Sequence, residues 1–311
     1  MIIDGSEISL KKFLSDLPPV DQVGADSRAA MLATRSIKTT SKAWAIDIAI
    51  SMVDLTTLEG ADSAGKVKAL CAKAVRPDPT DLAVPSVGAI CVYNDMVKIA
   101  RTELNSIGGK DIAVAAVATA FPSGRASIAV KKLDTQDAID AGANEIDMVI
   151  DRGAFLSGRI GEVFEEIKII KQLCGDQAHL KVILETGELV TYDNVRKASY
   201  LAMLAGADFI KTSTGKVAPA ATPPVVLVML EAVRDFYSIT QRRIGVKPAG
   251  GIRTTKDAIK QLVLVNETAG PEWLNPSLFR IGASALLNDL LMQRMKMSDG
   301  YYASPNYVTI D

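Results

Sequence analysis

From about residue 50 the chain alternates short β-branched runs with longer stretches in which apolar residues return every three or four positions. The short runs predict strands at 51–55, 87–93, 112–119, 145–150, 179–185, 208–214, 244–249 and 278–283. The helical period is clearest over 159–174, where Ile160, Val163, Phe164, Ile167 and Ile170 make one stripe, and over 191–205. Glycine at Ala141-Gly142-Ala143 and Ala205-Gly206-Ala207 closes the preceding helices. Strand and helix alternate eight times with no hairpin signal, which predicts an α/β chain folded as a (β/α)8 TIM barrel rather than an open doubly wound sheet. Residues 1–43 look different: Leu17-Pro18-Pro19 interrupts them, and 23–33 reads as a short helix. We expect an N-terminal helical extension over 1–43, plugging the barrel's bottom or lying on an outer helix; a separate binding arm is the alternative. The barrel is expected over 44–297 and a tail over 298–311.

Alternation along the strands singles out charged residues. Lys211 points away from Ile210, and Lys247 away from Val246. With the apolar neighbours on the helix side, both amines enter the barrel. The same test turns Asp54 away from Val53 and Leu55, Asp147 (with Glu145 and Val149) away from Ile146 and Met148, and Lys181 away from Val182 and Leu184. Ionised groups are costly in a core. Lost hydration and a neighbouring cation both push a buried lysine toward the neutral amine, a nucleophile for carbonyls. Four of the five residues are expected near the C-terminal ends of their strands, where such barrels build active sites. Two readings follow: an ion-pair network without chemistry, or carboxylates that hold one amine charged and move protons while another stays neutral.

Composition narrows the field. Apolar residues are 48% and charged residues 23% of 311, with a net charge of −1, so no basic field holds nucleic acid or an anionic membrane. The apolar runs are too short for a bilayer, and no secretory leader is visible at the N-terminus. Cys71, Cys91 and Cys174 are odd in number and far apart, which suggests reduced thiols and a cytoplasmic location. His179 is the only histidine, so a histidine metal cluster is poorly supported.

Glycines supply a second signal. Gly215-Lys216, Gly250-Gly251-Ile252-Arg253 and Gly282-Ala283-Ser284 follow or end strands 6, 7 and 8. Glycine lets backbone N–H groups approach an anion, and the loops after strands 7 and 8 commonly hold phosphate in these barrels. Gly215, Lys216, Gly250, Gly251, Arg253, Gly282 and Ser284 therefore form a candidate phosphate site, with plain tight turns as the alternative. Cys91 reads as a core residue and Trp44 and Trp273 as packing anchors. His179 reads as a satisfied structural histidine, and Lys131-Lys132-Leu133-Asp134 as a solvated helix face.

Val53-Asp54-Leu55-Thr56-Thr57-Leu58, Glu145-Ile146-Asp147, Glu185-Thr186-Gly187-Glu188-Leu189, Phe209 to Lys216 and Lys247 to Arg253 are similar to motifs of the deoxyribose-phosphate aldolases, and the resemblance covers about residues 44–297. It implies a class I aldolase on a (β/α)8 barrel. The reaction implied is reversible cleavage of 2-deoxy-D-ribose 5-phosphate to acetaldehyde and D-glyceraldehyde 3-phosphate, with no metal or organic cofactor. It further implies that Lys211 forms the Schiff base, that Lys247 lowers its pKa, that Asp147 moves protons, and that Asp54 hydrogen-bonds nearby. The glycines with Lys216, Arg253 and Ser284 become the phosphate cradle. Small phosphosugar and aldehyde substrates and a homodimer are expected, with no nucleic-acid or membrane partner. Ala285 stands where shorter members carry a second serine, so one side-chain contact is missing while the backbone N–H remains. A phosphosugar-binding barrel without chemistry is the competing class. The tail, with Tyr301, Tyr302 and Tyr307, is read either as a lid over the site or as a frayed terminus packed on a helix.

Overall fold

A computed structural model describes residues 5–301, and in it eight parallel strands alternate with helices. In chain order the elements are α1 (Glu7–Asp16), α2 (Gln22–Ala33), α3 (Thr39–Ser51), β1 (Val53–Thr56), α4 (Ala64–Val75), β2 (Ala89–Tyr93), α5 (Val97–Ser106), β3 (Ala113–Ala118), α6 (Ile128–Asp140) and β4 (Glu145–Val149). They continue with α7 (Arg152–Leu156), α8 (Ile160–Cys174), β5 (His179–Ile183), α9 (Tyr192–Leu204), β6 (Phe209–Lys211), α10 (Pro223–Thr240), β7 (Gly245–Lys247), α11 (Thr255–Thr268), β8 (Ile281–Ala283) and α12 (Leu286–Asp299). From β1 to β7 each strand pairs with the next in sequence, and β1 also pairs with β8. Single bridges at Val246–Phe279 and Ala249–Gly282 join β7 to β8 and close the (β/α)8 barrel.

The apolar stripe of α8 is buried as its period requires: Ile160, Val163, Phe164, Ile167 and Ile170 all face the core. Each such side chain contributes about 1.5–3 kcal/mol when fully buried. Together with the outward faces of the strands they make one continuous shell between sheet and helices. A smaller apolar cluster, Leu58, Cys91, Ala115 and Val117, lies apart from that shell, with Tyr93 and Phe121 against it.

β6 and β7 end at Lys211 and Lys247, earlier than their apolar patterns suggest. Beyond them, side-chain bonds replace the regular ladder. Ser213 Oγ donates to the Ala249 carbonyl (2.5 Å), and Thr212 Oγ1 accepts from Ala249 N (2.9 Å). Both lysines are thereby set at the C-terminal ends of their strands, where the loops begin.

The N-terminal helices lie on the outside, α1 against α8 and α9, α2 against α10 and α11. Polar contacts fasten them. Glu7 accepts from Gly161 N at the start of α8, Asp193 from Val20 N (2.6 Å), and Arg28 pairs with Glu231. The division expected between residues 43 and 44 falls within α3. α12 stops at Gly300, whose φ of 84° ends the helix in the left-handed region. The tail reading falls on residues 302–311, outside the described residues; Tyr301, still within them, is exposed. No helix among the described residues is long and apolar enough to cross a membrane.

Four smaller expectations need correction or placement. Lys131 is not on a solvated face: it is buried and paired with Glu166 of α8, while Asp134 accepts from Asn94 Nδ2. His179 is exposed at the start of β5. Trp44 is 53% exposed, so it is not a buried anchor. Trp273 is buried and donates its Nε1–H to the Ile244 carbonyl (2.9 Å).

Candidate active site

Inside the barrel the inward-facing side chains are unequal in size. β2 and β3 contribute small ones, among them Cys91 and Ala115. The space left is filled by long charged side chains from the other strands: Asp54, Glu145, Asp147, Lys181, Lys211 and Lys247, all buried, with Arg280 from just before β8. These groups are wired together. Lys247 Nζ lies 2.7 Å from Asp147 Oδ2 and 2.5 Å from Asp54 Oδ2. Asp54 Oδ1 accepts from Arg280 (2.7 Å), Arg280 donates to Glu145 (3.1 Å), Glu145 pairs with Lys181, and Lys181 returns to Asp147 Oδ1 (3.4 Å). The result is a closed ring of alternating charge. Lys211 stands outside it, its Nζ 2.8 Å from the Asp147 Oδ2 that Lys247 also uses.

Charge counting separates the two lysines. Within the ring, Asp54, Glu145 and Asp147 balance Lys181, Lys247 and Arg280, so Lys211 is the surplus cation. Burial alone would push the Asp147 carboxyl upward, but Lys211, Lys247 and Lys181 outweigh it and hold the group well below the usual carboxylate range. Asp54 is held down in the same way, its burial outweighed by Lys247, Arg280 and Lys181. For Lys247, burial opposes the charge, yet Asp147 and Asp54 raise its pKa well above the ordinary lysine value. This corrects the expectation that desolvation drives both interior lysines toward the neutral form: Lys247 is a fixed ammonium.

A cavity of about 990 Å³ opens above the ring. Lys211 lines it, whereas Lys247 lies sealed beneath. Gly215, Lys216, Gly250, Gly251, Arg253, Gly282 and Ser284 all line the same cavity, so the two sequence signals meet in one place. α12 begins there with no side-chain cap, unlike α11, whose Thr254 and Asp257 form a capping box. An uncapped N-terminus presents free N–H groups and the positive end of the helix dipole to an anion. Gly250 and Gly251 hold φ of 84° and 86°, which only glycine adopts readily. Lys216 reaches across the mouth to Glu59, 3.0 Å away.

One expectation about position fails. Only Lys211 and Lys247 stand at strand ends; Asp54, Asp147 and Lys181 lie deeper, and Lys181 is tied to Glu145 rather than to the cavity. Arg280 was missed, although alternation with Phe279 and Ile281 turns it inward. Cys91 is buried with Sγ 4.0 Å from Asp147 Oδ2, and burial raises its thiol pKa, as suits a packing residue.

Residues 48–291 match the family described as DeoC/LacD family aldolase. The chain is 46% identical over 270 residues to the deoxyribose-phosphate aldolase of Homo sapiens, covering 84% of each, and 45% identical over 280 residues to that of Mus musculus, covering 88% of this chain and 87% of the other. Among solved structures, a candidate deoxyribose-phosphate aldolase of Coccidioides immitis superposes with a TM-score of 0.65 at 29% identity, over 86% of this chain and 97% of that one.

Proposed function

The chain belongs to the DeoC/LacD family of aldolases, and we propose that Lys211 is the residue on which its chemistry is carried out. The reaction is the reversible aldol cleavage of 2-deoxy-D-ribose 5-phosphate to acetaldehyde and D-glyceraldehyde 3-phosphate through a lysine Schiff base. The observation that supports Lys211 is its place as the surplus cation of the cluster and the member open to the cavity. Losing one proton there leaves the buried charges balanced.

In the cleavage direction neutral Lys211 Nζ adds to the C1 aldehyde of the open-chain sugar, and loss of water gives an iminium. A base takes the proton of the C3 hydroxyl, the C2–C3 bond breaks, and its electron pair moves into the iminium as an enamine. Glyceraldehyde 3-phosphate leaves. Protonation of the enamine at C2 and hydrolysis then release acetaldehyde and return the amine. Asp147 is suited to the proton transfers because its Oδ2 lies 2.8 Å from Lys211 Nζ, while Lys181 holds its Oδ1 at 3.4 Å. Lys247 and Asp54 fix that carboxylate, and Lys247 keeps a positive charge beside the reacting amine. Gly215, Lys216, Gly250, Gly251, Arg253, Gly282 and Ser284 take the phosphate in this reading, with the start of α12 supplying N–H groups.

We also propose a homodimer and a cytoplasmic location; the unpaired, buried thiols of Cys71, Cys91 and Cys174 support the latter. The active-site assignment is tested by borohydride reduction with acetaldehyde and peptide mapping. An ethyl group on Lys211 is expected, and labelling at Lys247 or at neither lysine overturns it.

A further inference from the structure

The turn Glu185-Thr186-Gly187-Glu188, just past β5, belongs neither to the charge ring nor to the phosphate-site residues, yet it is built with unusual constraint. Glu185 is fully buried and left-handed, with φ 53° and ψ 62°. Residues bearing a Cβ occupy that region at a cost, and such strain gathers at functional sites. The carboxylate it places there is committed to one neighbour. Thr214 donates its hydroxyl to Glu185 Oε2 (2.5 Å) and its backbone N–H to both carboxylate oxygens (3.4 and 3.3 Å).

Thr214 passes the constraint onward, because its Oγ1 accepts from the Lys216 backbone N–H (3.1 Å). The hydrogen-bond chain from Glu185 thus ends inside the loop that lines the phosphate end of the cavity. With the N–H groups of Thr214 and Lys216 both occupied, the Gly215 N–H between them is left without an acceptor among the described residues, at a φ of 81°. Two more contacts brace the same loop. Thr186 N–H donates to the Thr212 carbonyl (2.9 Å), and a Cβ at Gly187 would collide with the Pro219 carbonyl oxygen. On its far side the turn is anchored by Glu188, which pairs with Arg152, and Arg152 also donates to the Pro122 carbonyl (3.1 Å).

We propose that Glu185 is a positioning residue for phosphate recognition: acting through Thr214, it holds the 214–216 loop so that the Gly215 N–H and the Lys216 side chain meet the substrate's phosphate. This rests on the reading of that loop as the phosphate site. A group working only through the loop should matter for phosphorylated substrates and little for the Schiff base itself.

The test compares kcat/KM for 2-deoxyribose 5-phosphate and for unphosphorylated 2-deoxyribose. Losing a hydrogen bond to a charged group corresponds to about tenfold or more. In Glu185→Ala the preference for the phosphorylated sugar is expected to fall about tenfold, mainly through KM, with acetaldehyde still trapped on Lys211. Glu185→Gln, which keeps an acceptor oxygen, is expected to recover most of the loss. Thr214→Val breaks the same link from the other side and serves if Glu185→Ala does not fold. A change in preference below threefold in the folded variants, or an equal loss on both sugars, overturns the proposal. Failure of the aldolase reading itself shows separately, as absence of trapping on Lys211 in the unaltered protein.

Discussion

Removing the Lys247 ammonium is the sharpest test of why Lys211 and not its neighbour reacts. Both amines approach the same oxygen, Asp147 Oδ2, at 2.8 and 2.7 Å, so their nitrogens can stand no more than about 5.5 Å apart. Two unit charges at that distance repel by about 3 kcal/mol at an effective dielectric of about 20. That corresponds to about two pH units. In Lys247→Met the repulsion is gone and Asp147 is left to Lys211 and Lys181, so Lys211 keeps its proton more readily. The pH at which half the protein is trapped by acetaldehyde and borohydride should rise by about two units, and turnover at neutral pH should fall about a hundredfold. The variant also leaves two buried carboxylates short of a partner, a change that costs about 3–5 kcal/mol of stability, so folding must be confirmed by circular dichroism. A folded variant with an unmoved midpoint would refute the electrostatic role assigned to Lys247.

Acid should weaken the fold through the same residues. The carboxyls of Asp54 and Asp147 are depressed in the folded state, so their stabilisation is full above the unfolded value of about 3.9 and is lost as pH falls through the folded ones. Urea unfolding from pH 5 down to pH 2 should show stability falling steadily, and Asp54→Asn, though less stable at pH 5, should show a shallower fall. Away from the site, Lys131→Met should cost about 3 kcal/mol by stranding the largely covered Glu166 carboxylate, while Lys131→Met with Glu166→Leu should regain most of it. Trapping on Lys211 should be the same in both, and a trapping defect would show that the α6–α8 pair is coupled to the site.

Strand alternation reached Asp54, Asp147, Lys181, Lys211 and Lys247 because a period of two survives errors of a residue or two at strand ends. It says nothing about height along the barrel axis, which depends on the stagger between neighbouring strands. Alternation therefore puts Lys181 in the same inward set as Lys211 and Lys247, although it is paired with Glu145 away from the cavity. Arg280 shows a different limit: its strand is only Ile281–Ala283, so the pattern around it is brief, yet its turn inward was readable. Lys131 could not be placed from its own helix, since what buries it is Glu166 on another. The left-handed Glu185 has no local signature either; its conformation is imposed by the loop it grips.

The ring of charges also crosses the barrel where the sheet is thinnest. Between β7 and β8 the backbone is joined by isolated bridges and by the bonds Val246 N to Leu278 O, Arg280 N to Val246 O and Gly282 N to Pro248 O. Lys247 on one side of that seam and Arg280 on the other both grip Asp54 of β1, so side chains stitch shut what the ladder leaves loose. Chemistry and closure are thus held by one knot. A fluctuation that parts the seam must unclasp Asp54 from Lys247 or Arg280 before any helix is lost, so mild heating should silence the molecule while it still looks folded.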